Sequence, residues 1–541
     1  NQVKIMIFNN SFFFFKKKIH SLYLSSNLYN KKITPSNISS LEYRPSPNLL
    51  DSLIKYDKKK INIKNYSLNN IWNNKNLKKK DYKNLNSFFW LFSLDLKSSK
   101  KDTQEVIKQW IDKNHCYNSK SWEIDIVARR VIAWTSNSRL TYEDSSAQYK
   151  DNFNSIIKKQ INHLINEIER SEWVDDKIIC CAAIILTGLS YQDKNSFLDK
   201  GLNLLKKLVK FSLGNDGFPK SRNIRQLNFY LKYFILIREW LKESQNEIPD
   251  YINENIYYLG QAYAFIWRNN KIDLLFNGNH ETNNKDFDHY LKRLGYNFKC
   301  KNHEMGGYAI LNNKKQSLIM DIGASPEKKF SSNYQAGTLS FEILSNKKKL
   351  ISNSGYFQNY NHQLNKLSKS SAVHSTLIID DRSSCKFDKT KNEGTKISQG
   401  LKILKKNIIF EKNYWKIGGI HDGYLKQYGI IHEREIEFYP EQVKFVGHDK
   451  IISKDGTKNL KFEIRFHLEP NIKVMKTQDN KSIQIDLDGE GWRFNSDNNT
   501  INIDNGLYFG KKNSFSNNQN IFISGMTNDE NQTIKWEITK L

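Results

Sequence analysis

The chain has 541 residues, 38% hydrophobic and 13% aromatic, with 84 Lys+Arg against 57 Asp+Glu and only 8 prolines. At roughly 100–200 residues per domain this is enough for two or more domains with real cores, which excludes a peptide, a disulfide-stapled module and a wholly disordered chain. No stretch approaches the roughly 18 uninterrupted apolar residues of a membrane-spanning helix, so no transmembrane segment is expected.

The net charge of +27 is unevenly placed: residues 1–100 hold 19 Lys+Arg and 5 Asp+Glu, more than half of the excess. This Asn-rich segment contains Lys16-Lys17-Lys18, Lys58-Lys59-Lys60 and Lys78-Lys79-Lys80. Such a run is either a solvated surface or an attractor for an acidic polymer. The apolar clusters Ile5–Phe8 and Phe12–Phe15 are followed, not preceded, by a lysine triplet, the wrong order for a secretory signal. The chain starts at Asn1 rather than Met, which leaves room for an upstream piece.

From about Thr103 to Arg268 apolar residues recur at helical spacing. Val106, Ile107, Trp110 and Ile111 form one stripe; Phe153, Ile156, Ile157, Leu164, Ile165 and Ile168 form a longer one. Ile178 to Leu189 is apolar almost all round, as in a helix buried among others, and takes Cys180-Cys181 into the core. Further helices fit Phe197–Phe211, Gln226–Lys242 and Tyr251–Trp267. The five cysteines, Cys116, Cys180, Cys181, Cys300 and Cys385, show no CxxC spacing, so neither a disulfide framework nor a zinc ribbon is indicated.

After about Gly306 the period becomes two. Leu339–Leu344, Phe462–Leu468 and Ile483–Leu487 alternate apolar and polar as half-buried strands do. Asn312-Asn313, Asp455-Gly456, Asp488-Gly489 and Asn505-Gly506 read as turns between them. The expected organisation is α+β: a basic segment over 1–100 with the helical domain beginning near 85, helices over 101–295, and a large antiparallel β-sandwich over 305–541, with the boundary in the polar stretch Asn277–Asn302.

There is no phosphate loop, HExxH, GxSxG or HxH pair. Five dense polar strings remain: Asp216-Gly-Phe-Pro-Lys-Ser-Arg-Asn-Ile-Arg225, Ala336–Glu342, Asn353-Ser-Gly355, Ala372–Leu377 and His421–Arg434. In that order, with helices ahead of strands, they resemble the heparinase II/III-like family of polysaccharide lyases, and in particular a bacterial branch with SRNPR, AGTLSFE, AHSTL and HDGY strings. The resemblance runs from about Phe88 to the end of the sandwich. It implies an incomplete α/α toroid ahead of the sandwich, a substrate cleft between them, and β-elimination on an acidic, uronate-containing polysaccharide such as alginate or a glycosaminoglycan.

β-Elimination needs the uronate carboxylate neutralised, a base for the adjacent proton and an acid for the departing oxygen. The strings offer His374, Tyr424, His421 and His432 as candidates for base and acid work, and Arg222, Asn223, Arg225, Asn333, Gln335 and Arg434 for substrate contact, with the arginines suited to bidentate carboxylate recognition. The family pattern is also incomplete here. Asp175-Asp176 stand where an Asn-His pair is expected, Gln226 lies where a Tyr is expected, and Asn333, Gln335 and Gly337 replace an HxHxD string. Of three metal ligands implied by the resemblance, Gln335 and Asn353 stand in place of His and Asp and only His374 remains. No tightly bound zinc and no other cofactor is expected.

Each residue also has an ordinary structural reading. His374 could be a hydrogen-bonded sandwich histidine at the start of a strand, Tyr424 a core tyrosine, Arg434 a surface ladder charge, Asn223 a helix cap, and His421-Asp422-Gly423 a turn. Three functions stay open. The first is a lyase; the second is a glycan-binding or envelope-polysaccharide assembly protein on the same scaffold; the weakest is nucleic-acid binding through residues 1–100, where the lysines lack interleaved aromatics. The partner expected is an acidic polysaccharide. The compartment is periplasmic by resemblance, or cytoplasmic if nothing precedes Asn1.

Overall fold

The computed structural model describes residues 15–51, 71–73, 77–94, 99–191, 197–268, 270–282, 284–390, 394–454, 459–497 and 500–541. The Lys58-Lys59-Lys60 run, the apolar residues before Phe15 and the Asp455-Gly456 turn lie outside them. The chain divides into two compact units, Asn1–Phe211 with Tyr230–Ile256, and Ser212–Phe229 with Tyr257–Leu541. An N-terminal helical region is thus followed by several antiparallel sheets.

In the first unit the helical spacing is realised as Lys100–Asn114, Ile124–Ser136, Ala147–Glu167 and Val174–Tyr191. Val106, Ile107 and Trp110 are fully buried on one stripe of the first of these helices, and Ile178–Leu186 is buried all round the last. Ser99 and Ser146 begin their helices by accepting the Asp102 and Tyr149 backbone N–H groups. Arg130 is wholly enclosed, held by Gln160 Oε1 and the Asn86 and Ser121 carbonyls and lying 3.9 Å from the Trp110 ring centroid. Phe197–Ser212, Ile224–Glu243 and Asp250–Tyr263 complete the helical series.

The second unit carries the strands. A five-stranded meander contains β1 (Glu304–Met305), β2 (Tyr308–Asn312), β3 (Gln316–Asp321), β4 (Phe341–Ser345) and β5 (Lys348–Ile351). Then come β6 (Leu377–Ile379), the hairpin β7 (Lys386–Lys389) and β8 (Thr395–Gln399), β9 (Ile403–Phe410), β10 (Trp415–His421), β11 (Ile430–Tyr439), β12 (Lys444–Ser453) and β13 (Lys461–His467). The last are β14 (Lys473–Lys476), β15 (Ser482–Leu487), β16 (Glu490–Ser496), β17 (Thr500–Tyr508), β18 (Ser516–Met526) and β19 (Gln532–Lys540). An eight-stranded sheet runs β14-β15-β16-β19-β12-β11-β10-β9, and a four-stranded sheet runs β17-β18-β13-β6.

One apolar cluster joins the three larger sheets: Leu318 and Phe341 from the first, Ile436, Phe445 and Trp536 from the eight-stranded sheet, and Phe466 and Ile521 from the third. Phe341 stacks on Trp536 with centroids 5.3 Å apart. The period-two pattern persists along β11, whose alternate residues are buried. Asp488-Gly489 forms the expected tight turn, both residues at positive φ.

Two expectations change. Asn505-Gly506 is not a turn; it lies within β17, paired with Gln519 and Asn518 of β18. Gly506 is needed there because a Cβ would come 2.2 Å from the Asn520 side chain. His374 does not open a strand. It ends the 3-10 turn Ser371–Val373, three residues before β6.

Candidate active site

The string at 216–225 builds a tight loop. Gly214 and Phe218 bond across it, Asp216 Oδ1 accepts the Phe218 N–H, and Gly217 takes φ +75° at the tip. Asp216 Oδ2 also accepts the Gly306 N–H at 2.9 Å. Asn223 then caps the helix Ile224–Glu243, accepting the Gln226 N–H at 3.1 Å, while its Nδ2 is buried without a partner.

Arg222, at φ +60°, points back into the sandwich unit. Its five donors go to the carbonyls of Gly306, Gly307, Gly323 and Ala324 and to Asp321 Oδ1 at 2.5–3.1 Å. Gly307 and Gly323 leave space for it, since a Cβ at either would lie within 2.8 Å of the guanidinium. Arg222 therefore staples the loop to β1–β3, with no donor left to clamp a substrate carboxylate.

A second set of polar side chains gathers around Asn333. Its Oδ1 accepts the hydroxyls of Tyr356, at 3.2 Å, and Tyr360, at 2.6 Å. Asn365 donates to the Tyr356 hydroxyl at 3.1 Å. The turn at 277–280 runs against this group, and a Cβ at Gly278 would lie 2.6 Å from Asn223 Nδ2 and 2.9 Å from Asn333 Cβ. His280 follows, with Nδ1 2.5 Å from Gln358 Nε2. Burial and then the charges of Arg225 and Lys512 push the His280 imidazole down to about 3. The Arg225 charge also acts on Tyr356, whose hydroxyl burial drives far above its ordinary range. Arg225, Asn333 and Tyr360 are half-buried.

Gln335 forms the floor. Its Oε1 accepts the Gly278 N–H at 2.9 Å, and its Nε2 donates to the Gly355 and Ser368 carbonyls at 2.9 and 2.5 Å. It is fully enclosed.

The four residues expected as base and acid lie in the sandwich interior. His374 is 1% exposed, with Nδ1 on the Ser370 carbonyl and Nε2 enclosed without a partner. Burial lowers it to about 4. His421 and His432 face each other across β10 and β11, Nε2 to Nδ1 at 3.3 Å. His432 Nε2 lies 2.7 Å from Asp449 Oδ1. Arg434, opposite Asp449 in the β11–β12 register, makes a bidentate pair with it at 2.7 and 3.0 Å, and also binds the Leu339 and Ser375 carbonyls. Arg434 is thus not a surface ladder charge. Tyr424 donates to the Leu377 carbonyl at 2.8 Å and is 1% exposed. Apart from His374 Nε2, the polar atoms of these groups are paired within the protein.

The cluster thus unites Asn223, Arg225 and Asn333 with three residues that sequence reasoning missed, His280, Tyr356 and Tyr360. Tyr356 and Tyr360 are four apart in a string that carried no family motif, and His280 follows a Gly-Asn turn; neither pattern is distinctive alone. In the helical unit, the Asp176 carboxyl also departs from its usual range. Burial and Asp125 push Asp176 up to about 7, against the pull of Arg129.

The metal ligands implied by resemblance do not fit a cation. Both Gln335 polar atoms are engaged by backbone groups, and Asn353 Oδ1 accepts the Ser375 N–H at 2.9 Å. An amide N–H cannot ligate a metal, so His374 Nε2 would be the sole soft donor. Among the described residues no group of three His, Cys, Asp or Glu side chains converges.

Residues 299–537 match the family model "Heparinase II/III-like, C-terminal". No curated protein matches the chain by sequence. Among solved structures, the crystal structure of heparinase III is similar over 98% of this chain and 90% of its own, at 15% identity and TM-score 0.69. The heparan sulfate lyase HepC from Pedobacter heparinus is similar over 92% and 86%, at 13% identity and TM-score 0.63. At these identities the likeness carries the fold.

Proposed function

We propose that this chain, whose residues 299–537 match the heparinase II/III-like C-terminal family model, is a polysaccharide lyase that cleaves an acidic, uronate-containing polymer by β-elimination. The observation that supports this most is that Asn333 Oδ1 accepts the Tyr356 and Tyr360 hydroxyls beside Asn223 and Gly278, with the Arg225 charge acting on both Tyr356 and His280. Arg225 supplies the charge that neutralises a uronate carboxylate, and the phenols supply protons for a departing oxygen. Neutral carboxamides suit the hydroxyls of a sugar ring.

The described residues also favour a second reading, glycan binding without cleavage. Asn333 stands where the resemblance expects an imidazole, and Arg222, Arg434 and His432 are committed to the protein's own carbonyls and carboxylates. The two are separated by mixing full-length protein with a panel of uronate polymers, alginate and heparan-type chains included, and following the ultraviolet absorbance of unsaturated uronate. The lyase reading expects new absorbance on at least one polymer and its loss in Arg225→Ala. Retention of a polymer with no absorbance change supports binding alone.

A further inference from the structure

The resemblance puts an imidazole at position 333, and this chain has Asn333 there. We propose that His280 supplies the missing imidazole from the adjacent 277–280 turn and is the base that takes the proton next to the uronate carboxylate. This rests on the lyase reading.

The turn that carries His280 is fixed independently of any substrate. Asn277 donates to the Tyr308 hydroxyl at 2.6 Å and to Asp321 Oδ2 at 3.1 Å, Gly278 N–H is held by Gln335, and Asn279 donates to the Leu274 carbonyl at 2.7 Å. Gly278 packs against Asn333 and Asn223, and two residues on the His280 ring is held by Gln358, which stands two residues from both Tyr356 and Tyr360. A base positioned by a rigid turn loses little orientational freedom when substrate arrives.

His280 also differs from the other buried histidines of this unit. His432 and His421 have both ring nitrogens occupied. His374 and His467 each have an open Nε2, but it is sealed inside the protein with no room for a ligand. His280 has Nδ1 held by Gln358, while Nε2 has no partner among the described residues and is not among the sealed atoms. When the Gln358 amide presents its oxygen to Nδ1–H, a half-turn of the amide, the lone pair resides on Nε2.

The step balances. His280 Nε2 takes the proton, and the electron pair moves into an enolate-like carboxylate facing Arg225. The bond to the departing sugar oxygen then breaks, its electrons leave on that oxygen, and the oxygen takes the proton of the Tyr360 hydroxyl. Imidazolium returns its proton through water to the phenolate. In the free protein, burial and the fields of Arg225 and Lys512 keep the ring neutral, the form a base requires. A bound uronate carboxylate offsets those cations and raises the basicity of the ring when it is needed.

The test uses full-length protein and a uronate polymer on which it is active. His280→Gln should lower kcat roughly a hundred- to ten-thousand-fold with KM within a few-fold of wild type. His280→Ala should regain activity with added imidazole, a rescue that a purely structural role would not show. Tyr360→Phe should lower kcat with wild-type folding. An active wild type whose His280→Gln variant keeps full kcat overturns the assignment of His280 alone. So does a folded His280→Ala that imidazole does not restore. A wild type inactive on every polymer overturns the lyase reading and this inference with it.

Discussion

Asp449 shows at the scale of one residue how the sandwich uses its charged groups. Buried completely, it accepts from Arg434 twice, faces His432 and takes the Trp536 indole N–H at 2.9 Å. Burial alone would raise its carboxyl, but Arg434 and His432 hold it far below the ordinary range. Asp449→Ala leaves an arginine buried and unpaired and should cost about 3–5 kcal/mol, read as a lower urea midpoint. His374 tests the pH dependence. Its folded pKa of about 4 lies below the roughly 6.5 of an unfolded histidine. The unfolded chain therefore binds the extra proton between those values, and the stability is complete above about 6.5 and lost as pH falls toward 4. His374→Gln should flatten the urea midpoint over that window by up to about 3 kcal/mol. The sequence exposed these residue types but not their commitments. Arg434 between two glutamates has the spacing of a surface ladder, and only the β11–β12 register reveals Asp449 opposite it.

Elements were legible where the period was long. Strands β13 and β15 follow the apolar pattern within a residue, and helix Val174–Tyr191 contains the Ile178–Leu189 run and begins four residues before it. They were illegible where a local signal competes with pairing: Asn505-Gly506 has ideal turn chemistry, yet nine successive pairs to β18 hold it extended. Gly447 in β12 is a related case, a glycine in mid-strand that the sequence does not explain. The Trp536 indole occupies its Cβ space, 2.0–2.6 Å away. Gly447→Ala should push that indole off Phe341 and off Asp449, destabilising the sandwich by about 1–3 kcal/mol. Near-ultraviolet circular dichroism and a urea titration would read both effects. An unchanged midpoint would mean that the sheet relaxes around the added methyl.

For the whole molecule, the five strings identified the fold, whereas the proposed site draws mostly on residues outside them. Within them His374, His421, His432 and Arg434 make buried contacts inside the packed sheets. The Asn333 cluster draws Asn223 and Arg225 from one string and His280, Tyr356 and Tyr360 from segments with no motif, so no local pattern could have joined them. The central claim is that this cluster eliminates rather than hydrolyses. Digesting a uronate polymer in heavy-oxygen water and weighing the fragments tests it most directly. The account predicts fragments that end in an unsaturated uronate, carry no heavy oxygen and disappear with Arg225→Ala. Fragments that take up heavy oxygen at the cleaved bond, or an intact polymer, would contradict it.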